Sequence, residues 1–360
     1  MPPFIKGLEL NRLFYAEAVR PLLERYVNPP HAAAQLGAGS DVLGFDTEMS
    51  TDHDWGPSVT LFLREDNFSQ ADAIREMMAQ RLPHRFHGYP TRSAEAPDEP
   101  GTLLMADGEA DRHRVFVTTA RRFVFRQLNF DLNTPVQVAD WLTFPSQSLL
   151  GLTAGAVYHD GIGEVSALRE RFAYYPHDVW LYLLAAGWQR IGQEEPFVGR
   201  AGSVGDELGS AVIGSRLVRD VMNLAFLLER RYAPYSKWFG SAFAQLEGAS
   251  DLSPILWRAQ RAADWREREA ALAEAYGHLA RKHNVLGVTA KLPETIGTFH
   301  NRPFRVIGGE RIAHTILAAV HDSDIQRLAQ GPLIGGIDQF SDSTDLRNKG
   351  WREKLFALYR

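Results

Sequence analysis

Two aspartates, Asp52 and Asp54, stand two residues apart in a run that also carries Gly39, Ser40, Asp41, Asp46, Glu48 and His53. Side chains alternate along an extended segment, so a pair at this spacing points to one side and brings two carboxylates together. Two carboxylates can hold a hard cation such as Mg²⁺, which takes oxygen ligands and keeps some of its waters. Upstream, Gly39 and Ser40 make a turn in which the backbone can approach a ligand closely. Its N–H groups, with the serine hydroxyl, can face phosphate oxygens. An acid pair and a Gly-Ser turn together equip a chain to transfer a nucleotidyl group, with the metal neutralising the triphosphate and activating the attacking oxygen. The plainer use of the same residues is turn capping in a polar loop, with His53 a solvated neighbour.

The elements that must position this run follow from periodicity and breakers. Apolar residues at three- and four-residue spacing predict an amphipathic helix over 8–26, kinked at Pro21, and Asn28-Pro29-Pro30 ends it. The run 59–63 reads as a buried strand and 70–81 as a helix ended by Pro83. Residues 93–101, with Pro97 and Pro100 among acidic residues, read as a surface loop. A short strand over 115–117, helix through most of 135–150 and another strand over 156–158 follow. Beyond Tyr174-Tyr175-Pro176 the pattern turns helical, over 178–191, 206–232, 238–246 and 256–283. A last segment runs from Phe304 through a helix over 311–321 to Ile337. The expected fold is α+β: a small mixed sheet with flanking helices over 1–175, then a mainly helical domain over 176–360 that closes the cleft.

Composition narrows the partners. The chain has 360 residues, 45% hydrophobic and 23% charged, enough for two domains with cores of their own. Its formal net charge of -5 supplies no general pull toward nucleic acid, so a small-molecule acceptor is the better expectation. Cysteine is absent, which excludes disulfides, Cys-ligated zinc and a thiol nucleophile. The N-terminal residues lack a signal-peptide layout and no apolar run reaches membrane-spanning length, so a cytoplasmic protein without membrane contact is expected. The oligomeric state is not legible. His84, His87 and His113 show no metal-ligand spacing on one helix face. The glycines from Gly331 to Gly336 lack the Lys-Ser/Thr ending of a phosphate loop and read as a turn.

Gly39, Ser40, Gly44, Asp52 and Asp54 fall in the order found in polymerase-β-like nucleotidyltransferases, which the chain resembles. The interval from Gly44 to Asp52 is about a residue longer than that family's, and Trp55-Gly56-Pro57 separates the pair from the following strand, where a bulge or split strand is expected. Many members place a third carboxylate in the middle of an apolar-acid-apolar triplet. Here that triplet is Val115-Phe116-Val117, leaving Asp46, Glu48, Glu109, Asp111 and Asp160 as open substitutes. More widely, the chain resembles an uncharacterised bacterial domain family placed in that superfamily, related to the antibiotic nucleotidyltransferases. The pieces that carry this likeness include Gly44-Phe45-Asp46-Thr47, Asp52-His53-Asp54-Trp55-Gly56-Pro57, Asp140-Trp141-Leu142, Tyr174-Tyr175-Pro176, Tyr232-Ala233-Pro234-Tyr235 and Asp338-Gln339-Phe340.

The resemblance implies ATP or another NTP with Mg²⁺ held by Asp52 and Asp54, and the outer phosphates held by Gly39 and Ser40. Lys237 is placed where aminoglycoside adenylyltransferases carry a phosphate-contacting lysine, and Tyr235 or Trp238 would stack on base or sugar. The alternative is that these aromatics are core and Lys237 snorkels to water. Asp206 and Glu207 follow a glycine-rich turn over 199–205; Asp206 reads as a helix cap and Glu207 as the candidate general base for an acceptor hydroxyl. The implied activity is transfer of a nucleoside monophosphate, AMP from ATP first, to an unidentified acceptor. A degenerate nucleotide-binding protein, or an RNA- or protein-modifying enzyme on the same fold, are the alternatives.

Overall fold

The computed structural model describes residues 2–106 and 112–360. The fold is α+β, with small mixed sheets and a mainly helical C-terminal part. Two compact units divide the chain: Met1–Pro135 with Gln147–Ala173, and Val136–Ser146 with Tyr174–Arg360. Among the described residues no helix is long and apolar enough to cross a membrane.

The first unit opens with α1 (Gly7–Phe14), one π-helical turn (Tyr15–Val19) and α2 (Arg20–Tyr26). Pro21, expected as a kink, sits in the first turn of α2, directly after the wide turn that interrupts the α-helix. Strands β1 (His31–Gln35) and β2 (Val59–Leu63) follow, then α3 (Ala71–Arg81) and a small hairpin, β3 (Arg85–Phe86) with β4 (Tyr89–Pro90). The stretch expected as a loop is another hairpin, β5 (Arg92–Ala96) and β6 (Glu99–Ala106), extended by β7 (Arg112–His113). Its prolines hid it. Pro97 lies at the turn, where a missing N–H costs no ladder bond. β8 (Val115–Thr118) and α4 (Ala120–Leu128) come next. The chain gives α5 (Val138–Thr143) to the other unit and returns with α6 (Ser146–Thr153), β9 (Ala156–Asp160) and α7 (Glu164–Arg171).

The central sheet has the order β8-β2-β1-β9, with β2 and β8 parallel and the other pairs antiparallel. One face carries Ala33, Val59, Leu61, Leu63, Val115 and Val117 against Leu10, Phe14, Val19, Leu23, Ile74 and Met78 of the helices. On the other face, Phe62 meets Phe123 of α4 edge to face at 5.3 Å.

The second unit packs α8 (His177–Glu194), α9 (Phe197–Ser203), α10 (Glu207–Leu228), α11 (Ser236–Phe243), α12 (Ala249–Arg261) and α13 (Trp265–Leu286). The hairpin β10 (Gly297–Phe299) and β11 (Arg302–Val306), α14 (Gly309–Leu317), α15 (Ser323–Leu328), α16 (Ile337–Phe340) and α17 (Arg352–Leu355) complete it. Two expectations need correction. Within the glycine-rich run over 199–205, expected as a turn, residues 199–203 are helix α9 and only 204–205 turn: Gly199 and Gly202 are there because a Cβ would strike Phe304 and Trp265. The helix expected over 256–283 is two, broken where the Asp264 side chain caps α13 by accepting from the Arg266 N–H.

One buried group of this unit sets a pH dependence. His283 is 1% exposed, its Nε2 lies 2.9 Å from the Thr289 hydroxyl, and burial pushes it down to about 4. The unfolded chain, with histidine at its ordinary value, binds this proton first, so stability falls as pH drops from about 6.5 toward 4 and is unaffected above that window. The loss amounts to roughly 3 kcal/mol, at about 1.4 kcal/mol per pH unit. Urea unfolding at pH 7 and pH 4 should show that difference shrinking in His283→Gln; an unchanged difference assigns the acid sensitivity elsewhere.

Candidate functional site

After β1 the chain turns sharply. The N–H of Gly37 donates to the Gly151 carbonyl at 2.7 Å, and those of Gly44 and Phe45 donate to Asp41 and Ser40 at 3.0 and 2.8 Å. Gly39 lies at φ +143, and a Cβ there would press on the Asp41 carboxylate. Among the described residues the N–H groups of Gly39 and Ser40 and the Ser40 hydroxyl make no hydrogen bond.

Behind this turn stand two buried carboxylates. Asp41 accepts from the Gln35 amide at 2.8 Å, and burial raises its carboxyl above the ordinary aspartate range. Asp46, 1% exposed, accepts from the Gly7 N–H at 2.6 Å and the Trp55 indole N–H at 3.1 Å. It therefore caps the positive end of α1, with the Lys6 ammonium 3.6 Å away. As a substitute third acid, Asp46 is already committed to the frame.

Asp52 and Asp54 do not lie on an extended segment. Asp52 ends a 3₁₀ turn over Glu48–Asp52, His53 is extended, and Asp54 adopts a left-handed conformation at φ 48. The physical reason is local bonding. The Thr47 side chain and Ser50 hydroxyl close a capping box on the turn, and Asp54 pairs with the edge strand β6. Its N–H donates to the Leu103 carbonyl at 2.7 Å and its Oδ1 accepts from the Leu103 N–H at 2.9 Å. Both aspartates are solvent-exposed, and Asp52 Oδ1 is 3.0 Å from His53 Nδ1. Among the described residues there is no cluster of three or more acidic or histidine side chains able to hold a metal.

Phe116 sits where the resemblance placed a third acid, opposite Thr60 in the parallel register and 38% exposed. Glu48 is exposed in the 3₁₀ turn, and Asp160 is occupied by the N–H groups of Gly163 and Ser166 and the Ser166 hydroxyl. Glu109 and Asp111 lie outside the described residues.

Sequence reasoning missed Arg114. It is 6% exposed, donates from Nη2 to the Asp54 carbonyl at 2.6 Å, and leaves Nε and Nη1 buried without hydrogen-bond partners. Burial pulls its guanidinium down, opposed by the charges of Asp41 and Asp54. The available signal was a cation immediately before an apolar strand.

The remaining candidates belong to the second unit. Asp206 is the helix cap expected, accepting from the Gly209 N–H at 2.7 Å. Glu207 accepts from Arg268 at 3.2 Å and from the Trp265 N–H at 3.3 Å, which gives it a structural task. Tyr235 precedes α11, and exposed Lys237 lies 5.1 Å over the Trp238 ring. Glu207 is the first residue of α10, a helix of 22 residues and so about 33 Å long, and Lys237 lies on α11, beyond its far end. One compact active site does not hold both.

Residues 141–239 match the family model described as Domain of unknown function (DUF4037). The match spans about a quarter of the chain, includes Tyr235, Lys237 and Glu207, and leaves the acidic stretch outside it. No curated protein and no solved structure matches the chain. The matched family carries no activity in its description, so the chemistry has to be argued from the side chains themselves.

Proposed function

We propose that this chain is a Mg²⁺-dependent nucleotidyltransferase that moves a nucleoside monophosphate, AMP from ATP in the first instance, to an acceptor hydroxyl or phosphate. The acceptor oxygen bonds to the α-phosphorus, the bridging P–O bond breaks, pyrophosphate leaves with the electron pair, and the proton of a hydroxyl acceptor passes to solvent. What carries the reading is the uncommitted Gly39–Ser40 turn in the same loop as two exposed carboxylates, Asp52 and Asp54. Arg114 adds two buried, unpaired donors next to Asp54.

Mg²⁺ fits this donor set as an ion that arrives with the nucleotide. Asp52 and Asp54 would hold it through hard carboxylate oxygens, the donor type Mg²⁺ favours. When bound, the metal supplies charge neutralisation on the triphosphate. The chain's own part is positioning: the turn's N–H groups hold outer phosphate oxygens, and the carboxylates fix where the nucleotide lies. Lys237 and Tyr235 belong to the other unit, and Glu207 is engaged by Arg268, so the reading does not depend on them.

Isothermal titration tests it directly. Mg²⁺ alone should bind no tighter than about the millimolar range, while ATP binding should appear only with Mg²⁺ present. Absence of Mg²⁺-dependent ATP binding would overturn the reading. The exposed Phe116 beside Thr60 favours a second reading, nucleotide binding without turnover. Binding without pyrophosphate release across a panel of hydroxyl and phosphate acceptors would select it.

A further inference from the structure

The hairpin of β10 and β11 lies in a corner of the second unit where exposed cations outnumber the acids that could answer them. Arg302 and Arg305 on β11, Arg200 on α9 and Arg311 on α14 are all exposed, and none has an ion pair among the described residues. Elsewhere in the unit Arg216, Arg258 and Arg268 are each matched to a carboxylate. Two buried acids of this corner are spent on the backbone. Glu195, 4% exposed, accepts from the N–H groups of Ile307, Gly308 and Gly309, and Glu269, 5% exposed, accepts from the Arg305 N–H. Of the acids lining the grooves beside the hairpin, Glu274 is taken by Arg258, which leaves exposed Glu267 and Glu310 against the four arginines. A formal net charge of -5 for the whole chain conceals this local excess.

Rings are interleaved with these cations. Phe197 is 40% exposed, and the Arg200 guanidinium lies 5.2 Å from its ring and 5.9 Å from that of Phe299. Phe299 in turn meets His300 edge to face at 4.5 Å. His300 opens the two-residue turn between Phe299 and Arg302, exposed and in a left-handed conformation at φ 53, a strain that glycine would not have. Two grooves border β10: one of about 690 Å³ with His300 and Arg311 in its lining, and one of about 880 Å³ with Arg305.

We infer that this corner binds a single-stranded nucleic acid, with phosphates at Arg302, Arg305 and Arg311 and bases stacked on His300 and Phe197. Charge alone would accept any polyanion. The interleaved rings are what favour nucleobases over an acidic peptide or an anionic lipid surface, because each base has a face to stack. Arg200, held against two rings, keeps that platform in place. The strain at His300 fits the same use, since a position glycine would fill more easily is given to a ring that points into solvent beside a groove. The proposal concerns residues separate from Asp52, Asp54 and the Gly39–Ser40 turn, and it stands or falls without the nucleotidyltransferase reading.

The test is fluorescence anisotropy of the full chain with labelled adenine oligonucleotides, one of RNA and one of DNA, in the absence of Mg²⁺ and ATP. Saturable binding of either strand is expected, and the tighter of the two names the source. With three phosphates contacted, affinity should fall about twentyfold between about 50 and 200 mM salt. Combining Arg302→Gln with Arg305→Gln, both at exposed positions, should weaken binding at least about tenfold and flatten that salt dependence. His300→Gly should bind at least about fivefold more weakly without a loss of melting temperature, because the turn is relieved of strain while the stacking ring is gone. No saturable binding of either strand, equal binding of labelled polyglutamate, or native affinity in either variant each overturns the proposal.

Discussion

Asp54→Asn should abolish the Mg²⁺-dependent part of ATP binding and lower any pyrophosphate release by at least about a hundredfold, the scale of losing one electrostatic contact at a reacting phosphate. The substitution isolates charge from structure. Asparagine, like aspartate, is among the non-glycine residues that enter the left-handed region most readily, so φ 48 is retained. Its side-chain carbonyl can still accept the Leu103 N–H that Asp54 Oδ1 now accepts at 2.9 Å. Only the negative charge is removed. Far-ultraviolet circular dichroism should therefore match the native chain. Native-like ATP titration in such a variant would dissociate the acid pair from nucleotide binding and sink the site assignment.

Gly155→Ala is expected to cost about 3 kcal/mol of folding stability, combining backbone strain with overpacking. Gly155 lies at φ +71, its N–H donates to the Val42 carbonyl at 3.0 Å, and a Cβ would fall well inside contact distance of the Gln35 carbonyl oxygen. That oxygen belongs to the last residue of β1, whose strand must stay in place for the Gly39–Ser40 turn to form. Gly163→Ala provides the control. It has nearly the same φ, +72, and open space where the Cβ would go, so it should cost only about 1 kcal/mol. Guanidinium midpoints for the two variants should differ accordingly. Equal midpoints would show that the backbone yields at Gly155 and that the packing argument is wrong.

The parts of this fold that a single sequence discloses are those whose burial is uniform along a short run. β2 reads directly from five consecutive apolar or threonine residues that are all buried, and α8 and α10 read from long helical periodicity. β1 escaped because His-Ala-Ala-Ala-Gln lacks the β-branched and aromatic side chains that favour strands; burial in the middle of the sheet overrides that weak preference. α9 escaped because its glycines answer to tertiary contacts with Trp265 and Phe304, which no local rule contains. At the acidic stretch, residue types pointed to Asp52 and Asp54, but the assumption of an extended backbone failed. The capping box at Thr47 and Ser50 and the pairing with Leu103 are bonds that periodicity does not report.

The brief excursion of Val136–Ser146 into the second unit also dictates an order of events during synthesis. The segment carrying Trp141, Leu142 and Phe144 leaves the ribosome before α8 or α10 exists to cover it. β9 emerges soon afterwards and can pair with β1, so the first unit can close around its sheet while that apolar segment is still uncovered. For the interval needed to translate α8 through α10, the nascent chain displays a tryptophan, a leucine and a phenylalanine in one short segment. That segment is a natural place for a holding chaperone to act. It is also the reason a fragment stopped at residue 175 should aggregate, even though its sheet is whole.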